Sequence, residues 1–398
     1  MAGPTPNRTT IELDDESDRY HRQNLISWWD QERLLGARVI VVGAGALGNE
    51  IVKNLVLMGI GKIFVVDMDE IENSNLARCV FFREEDEGKE KAKVLAERAS
   101  ELNSEVTVEP IVGDVRLSLG IGDFADADVV VGGLDNREAR LYVNQACWKT
   151  ETPWVDGAIE GLMGVVRVFV PPDTACYECT MSERDHQLVA ARKSCALLTR
   201  DQMLEGKVPT NATSASVIAG IEAQEVVKLL HRDRLGEPSL AGAGFNFVGL
   251  THESYVVNYQ PREDCLSHDH YELDGATTVA ADTPFAKLLS MAREQLGENA
   301  VIEFEHELVT GATCSSCGNG WSMLMPVDQL GTADGLCPDC GKERSLDFTH
   351  SVDDDSNLLD ESALSVGLPE RDVIVARDGF ERRYFRLDPS ERHRHESP

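Results

Sequence analysis

The chain lacks any run of about 18 apolar residues, the length a helix needs to cross a bilayer, so a membrane-spanning helix is excluded. Residues 1–18 are polar and acidic and hold no apolar segment of the kind a secretion signal requires. They read as a disordered acidic tail. Positive charge is scarce: 38 basic residues face 69 acidic ones, for a formal net charge of −31, and only 11 of the 38 are lysines. Such a surface repels nucleic acid and anionic lipid, and so argues against both as partners. The acidity suits a high-salt cytoplasm and a plain solubility role equally well. No internal repeat is present. Of the ten cysteines, eight stand in Cys-x-x-Cys, Cys-x-x-His or lone-nucleophile settings. Metal binding and catalysis therefore fit better than disulfides, and a cytoplasmic location is expected.

A chain of 398 residues is long enough for two or three domains. Residues 20–35 predict a short helix. Val39–Val42 is a buried strand, followed by a helix over 49–58 and a second strand over 62–66 ending in Asp67. A helix over 89–103, strands over 106–111 and 129–131 and a helix over 137–149 continue the alternation. Strands alternating with helices predict an α/β fold with a mostly parallel sheet wrapped on both faces. A more antiparallel stretch starts at Gly164, then an apolar helix over 215–230 and a strand over 255–258. The expected divisions are a large α/β domain over 19–270, an acidic linker over 271–283 and a small α+β domain over 284–390. That last domain would comprise a helix over 284–296, strands over 301–307, 372–376 and 383–387, and a Cys-rich insert over 314–340.

The glycine-rich turn Gly43-Ala-Gly45-Ala-Leu-Gly48 follows the first strand. Gly43, Gly45 and Gly48 permit a tight turn, close approach of a phosphate and close helix packing. The phosphate would rest on unpaired N–H groups at the start of the next helix. Asp67 stands where a carboxylate reaches ribose hydroxyls. Up to this point the pattern fits a nicotinamide oxidoreductase as well as any nucleotide enzyme. Asp69, Asn75, Arg78 and Lys91 sharpen it. A pyrophosphate cradled by backbone groups has no need of so charged a set, whereas splitting ATP requires cations around the developing charge. Arg78 and Lys91 meet that need, Asn75 can bond a phosphate, and Asp69 can help hold Mg²⁺. Asp135, after the fourth strand, falls at the same carboxyl edge of the sheet.

Cys176-x-x-Cys179 and Cys265-x-x-His268 are two halves of a Cys₃His zinc set, with His270 as an alternative to His268. Cys314-x-x-Cys317 and Cys337-x-x-Cys340 form a zinc ribbon, and Gly318 and Gly341 suit its knuckle turns. Both sets look structural. Cys195 stands alone after Arg192 and Lys193, whose charges favour a thiolate.

Taken in order, these motifs resemble the MoeB/ThiF/ubiquitin-activating-enzyme superfamily over about residues 19–265. The resemblance rests on Arg19-Tyr-His-Arg22-Gln23, the glycine turn, Asp67-Met-Asp69, Ser74-Asn75-Leu-Ala-Arg78, Lys91 and Asp135-Asn136. It implies a ThiF-type adenylation domain. Asp67 would bind ribose, Asn75, Arg78 and Lys91 the phosphates, and Asp69 and Asp135 would serve Mg²⁺. Arg22 would act on ATP in a neighbouring subunit, which implies a homodimer. The substrate would be the C-terminal glycine of a ubiquitin-like or sulfur-carrier β-grasp protein, and Cys195 would form the thioester. Gly133-Leu-Asp135 and Val66-Asp-Met-Asp69 resemble most the catalytic subunit of NEDD8-type activating enzymes. Leu364–Leu368 and Tyr384–Leu387 resemble the ubiquitin-fold domain that recruits a conjugating enzyme. The expected activity is therefore modifier activation through Cys195. The alternative is MoeB/ThiF-type activation of a sulfur carrier for thiocarboxylate formation, and a catalytically dead scaffold is disfavoured because no charged nucleotide residue is missing.

Overall fold

A computed structural model describes residues 18–187, 209–236 and 240–389. The first 17 residues and the segment carrying Cys195 lie outside the described residues. The larger unit is an eight-stranded sheet in the order β3-β2-β1-β4-β5-β6-β7-β8. Its strands are β1 (Arg38–Val42), β2 (Lys62–Asp67), β3 (Thr107–Val112), β4 (Val129–Gly132), β5 (Trp154–Glu160), β6 (Met163–Phe169), β7 (Ala243–Val248) and β8 (Glu253–Asn258). β3, β2, β1, β4 and β5 pair in parallel, and from β5 onward the pairing is antiparallel. β4 and β1 after Arg38 are apolar and buried because both faces of a central parallel strand are covered.

One face is covered by α1 (Ala46–Met58), α2 (Lys91–Ser100) and the long α4 (Ala212–Leu230). Ile51, Val52 and Leu55 of α1 meet Ile218, Ala219 and Val226 of α4 over Val39, Val41 and Val155. Asn211 caps α4, its Oδ1 accepting from Ser214 N at 2.9 Å. The opposite face is covered by α3 (Arg137–Lys149) beside Ile40, Val130, Trp154 and Phe169.

Three expectations are corrected. The helix over 20–35 is two short helices, His21–Asn24 and Gln31–Gly36. Asp30 adopts extended backbone between them and caps the second, accepting from Arg33 N. The helix after the glycine turn begins at Ala46 rather than 49. Residues 271–283 are no free linker. Tyr271 is buried against Tyr384, with ring centroids 4.9 Å apart, and Thr277–Ala280 is a strand, β9.

β9 belongs to a second sheet in the order β11-β10-β13-β14-β9, with β12 pairing β10. Its other strands are β10 (Val301–Cys314), β11 (Gly320–Pro326), β12 (Arg344–Val352), β13 (Val373–Asp378) and β14 (Glu381–Asp388), and α5 (Phe285–Leu296) lies across it. Phe285, Leu288, Leu289 and Ala292 of α5 pack on Ile302, Ile374 and Phe385. A single strand precedes the helix, and it pairs parallel to β14. The cysteine-rich segment is not a separate insert, because β10 itself runs on into the first knuckle at Cys314. The two units share a core: Tyr271, Val373, Val375 and Tyr384 join the cluster of Ile40, Phe124 and Trp154.

Candidate nucleotide and metal sites

β1 is flanked by β2 on one side and β4 on the other, so the chain reverses winding direction there. A crevice opens at the carboxyl ends of the strands. Three segments meet at it: the glycine turn after β1, Asp67 at the end of β2, and the 133–135 loop after β4. Each turn glycine has its own reason. Gly43 has φ +100, and a Cβ there would stand 2.7 Å from Gly133 O. A Cβ on Gly48 would stand 1.8 Å from Gly43 O. A Cβ on Gly45 would meet no atom within 4 Å, so that face of the turn stays open to a ligand.

Asp67 lies under the turn. Its Oδ2 accepts from Ala44 N at 2.6 Å and its Oδ1 from Asp69 N at 2.7 Å. Burial raises its pKa, against the pull of the Lys91 ammonium. Lys91 Nζ bonds Asp69 Oδ2 at 2.9 Å. Burial opposes the charge on Lys91, yet Asp67 and Asp69 outweigh it and raise its pKa. Lys91 thus stays a cation at the crevice over the whole physiological range. Asn75 is buried, its Oδ1 accepting from Glu72 N at 2.9 Å, a bond that does not use its Nδ2 donors. Arg78 bonds Ser74 O.

Sequence reasoning missed Asn49. It is fully buried and donates to Ala44 O at 2.8 Å while accepting from Phe81 N at 3.0 Å. It ties the glycine turn to the loop carrying Asn75 and Arg78. An amide in the first turn of the helix, directly after the glycine turn, was the available signal.

Arg22 does not join the crevice of its own chain. Its segment is pinned at the far end of α1. Tyr20 OH accepts from Asn103 Nδ2 at 2.8 Å, Arg19 Nη1 bonds Leu102 O at 2.7 Å, and Tyr20 packs on Gly59, which ends α1. A helix of 13 residues spans about 20 Å, well beyond the reach of one side chain.

Cys176 Sγ lies 3.5 Å from Cys265 Sγ and 3.7 Å from Cys179 Sγ, and Cys179 Sγ lies 3.4 Å from His268 Nε2. All four ligand atoms fall within 4.8 Å of one another. Four ligands about 2.3 Å from a central zinc would have this spacing, and disulfide sulfurs would be much closer. His268 rather than His270 is in place; His270 instead faces Glu151 at 3.4 Å. Cys314, Cys317, Cys337 and Cys340 form a second such group, with Cys314–Cys340 at 3.5 Å and Cys317–Cys337 at 3.7 Å. Gly318 and Gly341 take φ of +74 and +70 in the knuckles. The donor chemistry of both groups fits Zn²⁺. The first group also anchors the strip leading to Cys195, together with Arg137–Asp185 at 3.0 Å and Arg262–His186 at 3.4 Å.

The ThiF family profile matches residues 19–267. The chain belongs to the ThiF family. It is 34% identical over 266 residues to the SAMP-activating enzyme E1 of Haloferax volcanii, covering 64% of this chain and 90% of that one. It is 42% identical over 157 residues to the NEDD8-activating enzyme E1 catalytic subunit of Arabidopsis thaliana, covering 36% of this chain and 34% of that protein. It is 38% identical over 168 residues to the sulfur carrier protein ThiS adenylyltransferase of Bacillus subtilis, covering 41% and 50%. The match to the NEDD8 relative thus spans about a third of that protein's length. Among solved structures, E. coli MccB with ATP superposes with a TM-score of 0.52 at 28% identity, covering 64% of this chain and 75% of that one. The ThiF-family likeness stops near residue 267, so the second sheet lies beyond it.

If both cysteine groups hold zinc, Cys176→Ser is expected to lower bound zinc from about two to about one per chain, by elemental analysis, and to lower the melting temperature. An unchanged zinc content would remove the first group as a site.

Proposed function

We propose that this ThiF-family chain uses ATP and Mg²⁺ to adenylate the C-terminal glycine of a ubiquitin-like β-grasp protein, then takes the acyl group onto Cys195 for transfer to a conjugating enzyme. The observation that carries the adenylation is the cluster at the crevice: Asp67 under the glycine turn, with Lys91 and Asp69 paired beside it. In the reaction a glycine carboxylate oxygen bonds the α-phosphorus. The bond from that phosphorus to the bridging oxygen breaks, and pyrophosphate leaves. Lys91, Arg78 and Asn75 would bind the phosphates and neutralise the developing charge. Asp67 would hold the ribose, and Asp69 and Asp135 would hold Mg²⁺. The Cys195 thiolate would then attack the acyl carbon and expel AMP.

The position of Arg22 supports a homodimer, in which it serves the partner's crevice. Leu25, Ile26, Leu57 and Leu102 are exposed around it, forming an apolar patch suited to a second copy. The second sheet, with α5 across it, would be the surface that receives the conjugating enzyme, in keeping with its resemblance to a ubiquitin-fold domain. The absence of a long apolar helix among the described residues is compatible with a cytoplasmic setting.

The second reading is sulfur-carrier activation without conjugation. It is favoured by the shared core between the two sheets, because a recruiting domain gains from freedom to swing. One experiment separates the readings: the chain with ATP, Mg²⁺ and Gly-Gly-ended β-grasp proteins, run on a non-reducing gel beside Cys195→Ala. A thiol-sensitive adduct lost in the variant is the expected result. Pyrophosphate release with no adduct would favour the sulfur-carrier reading.

A further inference from the structure

We infer that Arg140 is a positioning residue for Asp135, reaching from α3 beneath the 133–135 loop to fix the carboxylate that faces the nucleotide. The inference rests on the adenylation reading of the crevice. Arg140 lies one turn into α3, which starts immediately after the loop, with Asn136 as its cap. Its guanidinium points back under that loop and is almost wholly buried. Nη2 donates to Leu134 O, the carbonyl directly before Asp135, and to Gly157 O at 3.1 Å, while Nε donates to Asp156 Oδ1 at 2.9 Å.

Each acceptor is itself held. Asp156 is fully buried on β5 and its other oxygen meets Arg167 Nη2 at 2.7 Å. Asp156 and Arg167 are cross-strand partners in the β5–β6 register, so they face the same side. The backbone at 157 cannot shift toward α4, because the Glu222 carboxyl stands 2.5 Å from where a Gly157 Cβ would be. Gly133 N donates to Val42 O at 2.9 Å, which fixes the start of the loop on β1. The loop is therefore pinned at both ends, and only Asp135, exposed at its tip, is left to face the crevice.

A structural explanation alone accounts for this poorly. Two arginines around one buried carboxylate are costly to desolvate, and apolar side chains of similar size would pack the site as well or better. What apolar residues could not do is hold a loop carbonyl and two strand groups in one rigid plane. Guanidinium geometry does that, and lysine has no such fork.

The test compares wild type, Arg140→Lys and Asp135→Asn by calorimetric ATP binding with and without Mg²⁺, alongside thermal melting. Arg140→Lys is expected to lose about tenfold of the Mg²⁺-dependent part of ATP affinity, as partners behind a metal ligand commonly do. Its Mg²⁺-free affinity should be kept, matching the pattern of Asp135→Asn. Full retention of the Mg²⁺ increment in Arg140→Lys would overturn the inference, and so would equal loss with and without Mg²⁺. A wild-type chain with no affinity for ATP would overturn the reading of the crevice itself.

Discussion

Asp135→Ala is expected to reduce ATP–pyrophosphate exchange by at least about a hundredfold while the chain still melts within a few degrees of wild type. The second half of that expectation follows from exposure. Asp135 sits at the loop tip, and its one described hydrogen bond is from Asn136 Nδ2 at 3.4 Å. Little folding energy depends on it. The first half follows from the adenylation reading: Asp135 stands in the loop after β4, at the carboxyl edge of the sheet that also carries Asp67, where a carboxylate would share a divalent cation with the phosphates. Arg22→Ala should fail comparably, for a different reason. Its segment is bolted to the far end of α1, so on the dimer proposal the site it serves would belong to another copy. Mixing the two inactive variants should therefore restore activity, because a mixed dimer has one crevice with both Asp135 and a partner arginine. Refolded mixtures would approach about a quarter of wild-type exchange under random pairing. No recovery would place both residues in one chain's site and remove the case for a shared dimer.

The nucleotide crevice was legible in the sequence because its parts are local. A strand, a glycine turn and a helix specify one another within a dozen residues, Asp67 and Asp69 follow at the end of β2, where topology gathers ligands, and Lys91 opens α2. The gathering of the cysteine groups was legible too, although Cys176 and Cys265 stand far apart in the chain, because each half has metal-ligand spacing. What was hidden depends on long-range packing. Residues 271–283 looked like a linker because their outward side chains are acidic and polar, yet Tyr271 turns inward and bonds Glu305. Asp30 looked like one polar residue of a helix and instead restarts it. Arg140 drew no notice in the sequence, because nothing local reveals that Asp156 lies beneath it on β5. Asn49 was concealed because its second partner, Phe81 N, lies 32 residues away in the chain.

The least expected feature, the shared core, supports the other large effect. A chain ending at residue 270 is expected not to form a soluble, cooperatively melting adenylation domain, even though it would contain the whole region matched by the family profile. In a doubly wound sheet both faces need cover. α1, α2 and α4 cover one face from β3 through β6, leaving β8 exposed. On the other, α3 covers only part, and the short helices Val115–Ser118 and Ile121–Ala125 are too small to finish it. The second unit completes it. Gly120 and Gly122 press against the backbone of Arg371 and Asp372, at distances that leave no room for a side chain. Gly122 N donates to Arg371 O at 2.8 Å, and Ile121 N to the wholly buried Asp372 at 3.1 Å. Arg371 pairs with Asp123 at 2.8 Å and also with Asp126, and Arg116 reaches Asp328 at 2.6 Å. Removing Tyr271, Val373, Val375 and Tyr384 from the common cluster forfeits on the order of 6–12 kcal/mol of burial, taking about 1.5–3 for each side chain. That is comparable to the whole stability of a typical domain, about 5–15 kcal/mol. Soluble yield and a melting curve decide the matter. If residues 1–270 melt as the full chain does, the second unit is an appendage, free to swing toward a conjugating enzyme. If they aggregate or melt without cooperativity, the second unit is part of the fold that positions the crevice, and any partner must be received on a fixed platform.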